Sequence, residues 1–139
     1  MVMNDPLFLD ANFVIALEVS DDQHYNEATH HWKNLIETPL SLVTTSYVFD
    51  EVVTYLNTRH QHDKAVKVGN NLLNAANIEV IQVDESLFYE AWSYLEQHAD
   101  KTYSLTDCVS FVLMKRLGIT EALTFDKHFV QAGFTKLPK

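Results

Sequence analysis

Short apolar runs alternate along the chain with longer segments in which apolar residues recur every three or four positions. The first run, residues 7–9, follows Pro6 and ends at Asp10. A continuous apolar run of this length is typical of a strand that is buried on both faces of a parallel sheet. The later short runs predict four further strands, at residues 42–44, 78–83, 122–125 and 134–137.

Helical spacing of apolar residues predicts one or two helices in each interval between these strands. The predicted helices cover residues 12–18, 23–37, 46–57, 63–76, 85–98, 104–118 and 127–132. For three of them the pattern also predicts the inward-facing residues, which are Ala28, Trp32, Leu35 and Ile36, then Val66, Leu72 and Leu73, and then Leu87, Phe88, Ala91, Trp92 and Leu95.

This regular alternation of strands and helices indicates an α/β fold with a parallel sheet and helices on both faces. The chain has 139 residues, of which 47% are apolar, and it has only three glycines. These numbers fit one compact, helix-rich domain over residues 1–139, with a core of its own. We find no internal repeat, linker or low-complexity tract.

The charge balance restricts the possible functions. The formal net charge is −9, and Arg59 and Arg116 are the two arginines of the chain. A passive nucleic-acid binder normally carries a basic stripe, so this class is disfavoured. An enzyme whose acidic pocket is neutralised by a divalent metal remains compatible with the charge. A single cysteine, with no secretory signal and no apolar run long enough for a membrane span, predicts a cytoplasmic protein.

Four acidic residues are predicted at the same edge of the sheet. Asp10 and Asp126 directly follow strands, whereas Glu51 and Asp107 lie near the beginnings of helices. The carboxyl ends of parallel strands, and the helix N-termini that follow them, meet at one edge, where ligands of α/β folds bind. We therefore expect these four carboxylates to converge.

Each of these acids also has a structural interpretation. Asp10 suits the N-cap of the next helix. Ser104 and Asp107 have the spacing of a capping box. Glu51 has apolar neighbours at helical spacing, which predicts that it faces the core; the alternative is that it lies at the edge of the apolar stripe and reaches water.

Four carboxylates held together as bare anions would repel each other and titrate as a coupled set. A hard divalent cation such as Mg²⁺ or Mn²⁺ removes this conflict, because it binds carboxylate oxygens and retains water. One or two such ions can activate a water and stabilise the leaving oxygen of a phosphodiester. The four acids therefore indicate metal-dependent hydrolysis.

Four motifs, in order along the chain, resemble those of PIN-domain proteins, and within that family the VapC-type toxin ribonucleases. They are Leu-Asp-Ala-Asn, Thr-Thr-Ser-Tyr-Val-Phe-Asp-Glu, Ser-Leu-Thr-Asp-Cys-Val-Ser-Phe and Leu-Thr-Phe-Asp-Lys-His-Phe. The resemblance implies a three-layer, Rossmann-like α/β/α fold with a mostly parallel sheet. It also implies Mg²⁺- or Mn²⁺-dependent endoribonuclease activity on RNA, frequent homodimers, and a cognate antitoxin that blocks the site.

The family's four acids fall on Asp10, Glu51, Asp107 and Asp126. By this resemblance Asp10, Asp107 and Asp126 hold the metal, while Glu51 ligates a metal or orients the attacking water. Cleavage then leaves a 5′-phosphate. Two polar family positions fall on Asn12 and Thr124. Lys127 and His128 follow the last acid, and they either touch RNA or are surface side chains of a short helix.

Other functions were weighed against this one. Cys108 as a nucleophile is disfavoured because a lone cysteine is usually a buried apolar residue. Zinc is disfavoured because the histidine pairs lack supporting cysteines or helical spacing. A phosphatase with Asp10 as nucleophile would need an acid where Asn12 stands. The remaining alternatives are an acidic metal-binding signalling module and a catalytically silent scaffold that binds partners.

Overall fold

The computed structural model describes residues 5–139, and in it five strands form one parallel sheet. Their order across the sheet is β3-β2-β1-β4-β5. The strands are β1 Leu7–Leu9, β2 Leu42–Thr45, β3 Ile78–Ile81, β4 Glu121–Leu123 and β5 Thr135–Leu137. The predicted parallel sheet is confirmed, with all five strands displaced by at most two residues from the predicted bounds.

Helices flank the sheet and give the three-layer α/β/α architecture that the resemblance implied. They are α1 Ala11–Glu18, α2 Tyr25–Leu35, α3 Ser46–Thr58, α4 His62–Asn74, α5 Glu85–Gln97, α6 Leu105–Leu117 and α7 His128–Gln131. Among residues 5–139, none of these helices combines the length and the apolar content needed to cross a bilayer.

The central position of β1 determines what lies around its carboxyl end. Phe8 pairs with Val43 of β2 on one side and with Ala122 of β4 on the other. All three residues of β1 are buried, as expected for a strand covered on both faces. The last ladder bond on the β4 side is donated by the Asp10 amide to the Leu123 carbonyl, at 3.1 Å. Asp10 therefore leaves the sheet at its centre.

Helix ends are set by residues that the sequence identifies. The side chain of Asp84 caps α5 by accepting a hydrogen bond from the Leu87 amide at 2.9 Å. Gly118 ends α6 in the left-handed conformation, with φ of 69°, which glycine adopts at little cost. These two ends fix where α5 leaves β3 and where α6 turns into β4.

The predicted buried faces of three helices are partly wrong. Four residues assigned to the core are exposed: Ile36 at 55%, Val66 at 48%, Leu73 at 54% and Trp92 at 47%. Three of them directly follow a residue that was assigned to the same face, and consecutive helical residues point about 100° apart. On a helix with only one covered face, the second of two consecutive apolar residues therefore points away from the core.

Helix α4 packs through four buried residues, of which only Leu72 was predicted to face inward. Its buried positions are Ala65, Val68, Gly69 and Leu72. A Cβ at Gly69 would lie 3.3 Å from Cζ of Phe49 on α3, so the absence of a side chain permits the close approach of these two helices.

Candidate functional site

Asp10 is a helix cap and a buried carboxyl at the same time. Its Oδ1 accepts a hydrogen bond from the Ala11 amide at 2.9 Å, and its Oδ2 accepts one from the Thr124 hydroxyl at 2.7 Å. The residue is only 6% exposed. The capping interpretation of Asp10 is thus confirmed, and it coexists with a position at the centre of the acidic edge.

Burial raises the pKa of Asp10 to about 7, against an ordinary value of 3.8. The hydrogen bonds from Thr124 and Ala11 oppose this shift, whereas the negative charges of Asp107 and Glu51 add to it. A carboxyl in this environment is costly to ionise, and a cation placed beside it would remove that cost.

Asn12 and Thr124 fasten the end of β4 to the start of α1. Oδ1 of Asn12 accepts a hydrogen bond from the Phe125 amide at 3.0 Å. The Thr124 hydroxyl, which donates to Asp10, accepts one from the Asp126 amide at 3.0 Å. These bonds hold Asp126 at a fixed distance from Asp10. The resemblance predicted that both polar residues belong to the site, but it did not predict these hydrogen bonds.

Asp107 is held by the first turn of α6. The Ser104 hydroxyl accepts a hydrogen bond from the Asp107 amide at 2.9 Å, and Oδ2 of Asp107 accepts one from the Ser104 amide at 3.1 Å. The predicted capping box is therefore present. Burial raises the pKa of Asp107, and the charge of Asp126 raises it further.

His128 lies against two of the acids. Its Nδ1 is 3.2 Å from Oδ2 of Asp107 and 3.4 Å from Oδ1 of Asp126. Nε2 is 3.2 Å from the Thr102 hydroxyl, and the ring packs edge-on against Tyr103 with the centroids 5.4 Å apart. The ring is thus held from two sides, with one nitrogen directed at the carboxylates.

Glu51 lies at the solvent side of this group, and its predicted apolar environment is wrong. The residue is exposed, as the alternative interpretation had it. Its pKa is nevertheless raised, first by partial burial of the carboxyl and then by the charges of Asp107, Asp50 and Asp126, while a hydrogen bond from Thr106 opposes the shift. Glu51 therefore belongs electrostatically to the acidic group and remains accessible to water.

Three side chains are close enough to share one ion. Among residues 5–139, Asp107, Asp126 and His128 form a group of metal-ligating side chains, each with a ligand atom within 4.8 Å of the others. Oxygen donors fit Mg²⁺ and Mn²⁺, and an imidazole nitrogen is better suited to transition metals. The donor set is consistent with the divalent cation that the sequence predicts.

The place of His128 in this group was missed from the sequence. The signal was its position two residues after Asp126. The Asp126 carboxylate accepts a hydrogen bond from the His128 amide at 2.9 Å, which forms a tight turn and brings the imidazole back to the acids.

Cys108 does not take part in the chemistry. It is fully buried next to Asp107, and desolvation raises the pKa of its thiol to about 11. Thiolate is the reactive form of cysteine, so this environment suppresses nucleophilic attack. The expectation that Cys108 acts as a small buried apolar residue is confirmed.

Comparison with known proteins gives a consistent result. Residues 7–135 match the family model of the PIN domain. The chain is 32% identical over 131 residues to the 23S rRNA-specific endonuclease VapC20 of Mycobacterium tuberculosis (strain H37Rv), covering 94% of this chain and 97% of that protein.

Solved structures show the same similarity in three dimensions. The crystal structure of Mycobacterium tuberculosis VapC20, described as a sarcin-ricin loop cleaving toxin, superposes with a TM-score of 0.83 at 31% identity, over 93% of this chain and 96% of that one. VapBC-1 from nontypeable Haemophilus influenzae superposes with a TM-score of 0.66 at 12% identity, over 95% and 96% of the two chains, and shows the fold alone.

Proposed function

This chain belongs to the PIN-domain family, and on that premise we propose that it is a divalent-metal-dependent endoribonuclease, the toxin of a toxin–antitoxin pair. The observation that carries this proposal is the convergence of Asp10, Glu51, Asp107 and Asp126 at the carboxyl edge of the sheet. The negative charges of these carboxylates repel each other, and a bound divalent cation would compensate that repulsion.

In this proposal Asp10, Asp107 and Asp126 hold the metal, and His128 adds a nitrogen donor on the side of Asp107 and Asp126. When bound, Mg²⁺ or Mn²⁺ activates a water and stabilises the leaving oxygen of the phosphodiester. Thr124 and Ser104 fix the orientations of Asp10 and Asp107, so that the two carboxylates are in place before the ion arrives.

Glu51 is the group suited to handle the attacking water. It is reached by solvent, and partial burial of its carboxyl, followed by the charges of the nearby acids, raises its pKa. A carboxylate that is more basic than usual is a better acceptor for a proton of that water. Attack in line on the phosphorus then expels the sugar oxygen, and the new 5′-phosphate remains on the downstream fragment.

The relative named above is specific for 23S rRNA, and we propose ribosomal RNA as the substrate class of this chain as well. We also propose an antitoxin that covers the acidic edge, a homodimer in solution, a single domain over residues 1–139, and a cytoplasmic location. A substrate limited to one structured RNA fits a surface with net charge −9, because broad electrostatic attraction to RNA is absent.

The test is a cleavage assay with purified protein. Ribosomal RNA and a pool of single-stranded and structured RNAs are incubated with Mg²⁺, with Mn²⁺ and with EDTA, alongside Asp107→Asn. As a matched control, Asp100→Asn changes an exposed aspartate that pairs with Lys101 at 3.1 Å and is not one of the four site acids.

We expect cleavage with either metal by the wild type and by Asp100→Asn, and none with EDTA or with Asp107→Asn. Sequencing of the product ends should show 5′-phosphates. Metal-independent cleavage, or a fully active Asp107→Asn variant, would refute the site. Absence of cleavage of every RNA, with metal binding intact, would favour the alternative of a silent interaction module.

A further inference from the structure

A cavity of about 380 Å³ opens directly beside the acidic group. Asn12 and Asp126 line it on the side of the acids, and Gln23, His24, Tyr55 and Phe125 also line it. The volume lies within the range of small-ligand sites in proteins. Any group bound in this cavity would therefore be adjacent to the reacting phosphate.

Stacked rings form one wall of this cavity. The rings of His24 and Phe125 are nearly parallel, with an angle of 4° and centroids 4.1 Å apart. Phe125 in turn stacks on Phe13, with an angle of 16° and a centroid distance of 5.8 Å. Phe13 is fully buried and His24 is partly exposed. The three stacked rings thus extend from the buried Phe13 to the partly exposed ring of His24 at the surface.

The loop that carries His24 is held in place. Oδ1 of Asp22 accepts a hydrogen bond from the His24 amide at 2.8 Å. Gln23, between them, is exposed and brings a carboxamide to the cavity. A carboxamide offers both a donor and an acceptor, which is the combination that reads base edges.

Helix α3 contributes Tyr55 to the lining of the cavity and is followed by a cation. Tyr55 lies one turn after Glu51, and the guanidinium of Arg59 lies 3.4 Å from the centroid of the Tyr55 ring. Arg116 is paired with Glu90, whereas no salt bridge to Arg59 occurs among residues 5–139. Nη1 of Arg59 donates a hydrogen bond to the Tyr55 carbonyl at 3.1 Å, so the guanidinium is held over this ring and, among the described residues, has no carboxylate partner that a phosphate would have to displace.

We propose that this cavity holds one unpaired nucleobase of the RNA substrate, next to the phosphate that is cleaved. The base stacks on His24 and Tyr55, Gln23 contacts its edge, and Arg59 binds a neighbouring phosphate. Flat aromatic walls, a polar carboxamide and an adjacent cation are the elements with which proteins bind single-stranded RNA bases. This inference rests on the proposed ribonuclease function and adds its substrate subsite.

The test measures RNA binding separately from cleavage. A fluorescent RNA that contains the mapped cleavage site is titrated with protein in EDTA, and KM and kcat are then measured with Mg²⁺. The variants are His24→Ala and Tyr55→Ala. Their matched controls are His98→Ala, which removes a histidine stacked on Tyr94 outside the cavity, and Tyr89→Ala, which removes an exposed tyrosine of α5.

Loss of one base–aromatic stack corresponds to about 5- to 150-fold weaker binding. We expect His24→Ala and Tyr55→Ala to raise Kd and KM by factors in this range, with smaller changes in kcat, and the two controls to resemble the wild type. An RNA with one abasic nucleotide beside the cleaved bond should bind the wild type more weakly, by the same factor as the substitutions. Its affinity for the two variants should be almost the same as that of the intact RNA.

Two results would overturn the inference. If the wild type cleaves RNA but both variants bind and cleave as it does, the cavity holds no base, and the ribonuclease function stands. If no abasic position reduces wild-type binding, the same conclusion follows. A wild type that cleaves no RNA refutes the proposed function, and the subsite is refuted with it.

Discussion

Asp10 combines two requirements that usually conflict. As the N-cap of α1 it is expected to be ionised, yet it is 6% exposed and its pKa is about 7. Such a position is stable without metal only to the extent that the carboxyl is protonated. A carboxyl whose pKa is shifted this far by burial is typical of functional positions, and it agrees with the metal site proposed above.

The pH dependence of stability should report this environment. Because the pKa of Asp10 is about 7 in the folded chain, against an ordinary 3.8, the folded state retains a proton that the unfolded chain releases. This contribution is fully present below about pH 4 and is lost as the pH rises through 7. Asp10→Asn does not titrate, so in EDTA its unfolding free energy relative to wild type should increase by up to ~4 kcal/mol between pH 4 and pH 8.

The measurement is urea denaturation across this pH range. Asp84→Asn is the matched control, because Asp84 caps α5 outside the acidic group, and its difference from wild type should vary little with pH. A difference between Asp10→Asn and wild type that is constant with pH would contradict the account of Asp10.

His128 should influence which metal the site prefers. Its Nδ1 lies within 3.4 Å of two carboxylate oxygens, and an imidazole favours Mn²⁺ over Mg²⁺ as a ligand. We expect His128→Ala to weaken Mn²⁺ binding about 10- to 100-fold and Mg²⁺ binding less, as measured by calorimetry. Lys127→Ala, at the exposed preceding residue, should change neither affinity. Equal losses for both metals would indicate that His128 only positions Asp107.

Helix α6 connects the chemistry to the core. Its first turn presents Asp107, and the following residues are buried, among them Cys108, Val109, Phe111 and Val112. The capping box at Ser104 therefore fixes both the start of the helix and the orientation of Asp107, the proposed metal ligand. A defect in the cap should affect stability and activity together.

The cap can be tested with one substitution. Ser104→Ala removes the acceptor of the Asp107 amide while leaving the Ser104 amide in place, and loss of such a cap costs about 1 kcal/mol. We expect a corresponding loss of unfolding free energy by chemical denaturation, with reduced cleavage. Ser20→Ala, in an exposed turn, serves as control and should change neither. An unchanged stability of Ser104→Ala would show that the capping box does not hold α6.

The sheet order unites acids that lie far apart in sequence. β1 lies between β2 and β4. Residue 10 follows β1, residue 51 lies on α3 directly after β2, residue 126 follows β4, and residue 107 lies in the first turn of α6. This arrangement could be predicted because it follows from rules for parallel sheets, in which strand ends and helix starts share one edge. The N-cap at Asp10 and the capping box of Ser104 and Asp107 could also be predicted, because capping depends on residues that are close in sequence.

Features that depend on contacts between elements could not be predicted. Whether Trp92 or Leu73 faces inward depends on where the neighbouring helix lies, which spacing alone does not contain. Glu51 is exposed although its neighbours at helical spacing are apolar, because the covered side of α3 depends on which elements pack against it. The partners of His128 and Asn12 depend on the turn after β4, whose shape is set by Thr124 and Asp126.

The most direct test of the central claim is a calorimetric titration of metal-free protein with Mn²⁺, compared with Asp107→Asn and with Asp100→Asn as the control. This measurement does not depend on the choice of RNA. We predict saturable binding by the wild type and by Asp100→Asn, weakened at least tenfold in Asp107→Asn, because one of three converging ligands then loses its charge. Absence of Mn²⁺ binding by the wild type, or equal binding by Asp107→Asn, would contradict the claim that these carboxylates form a metal site.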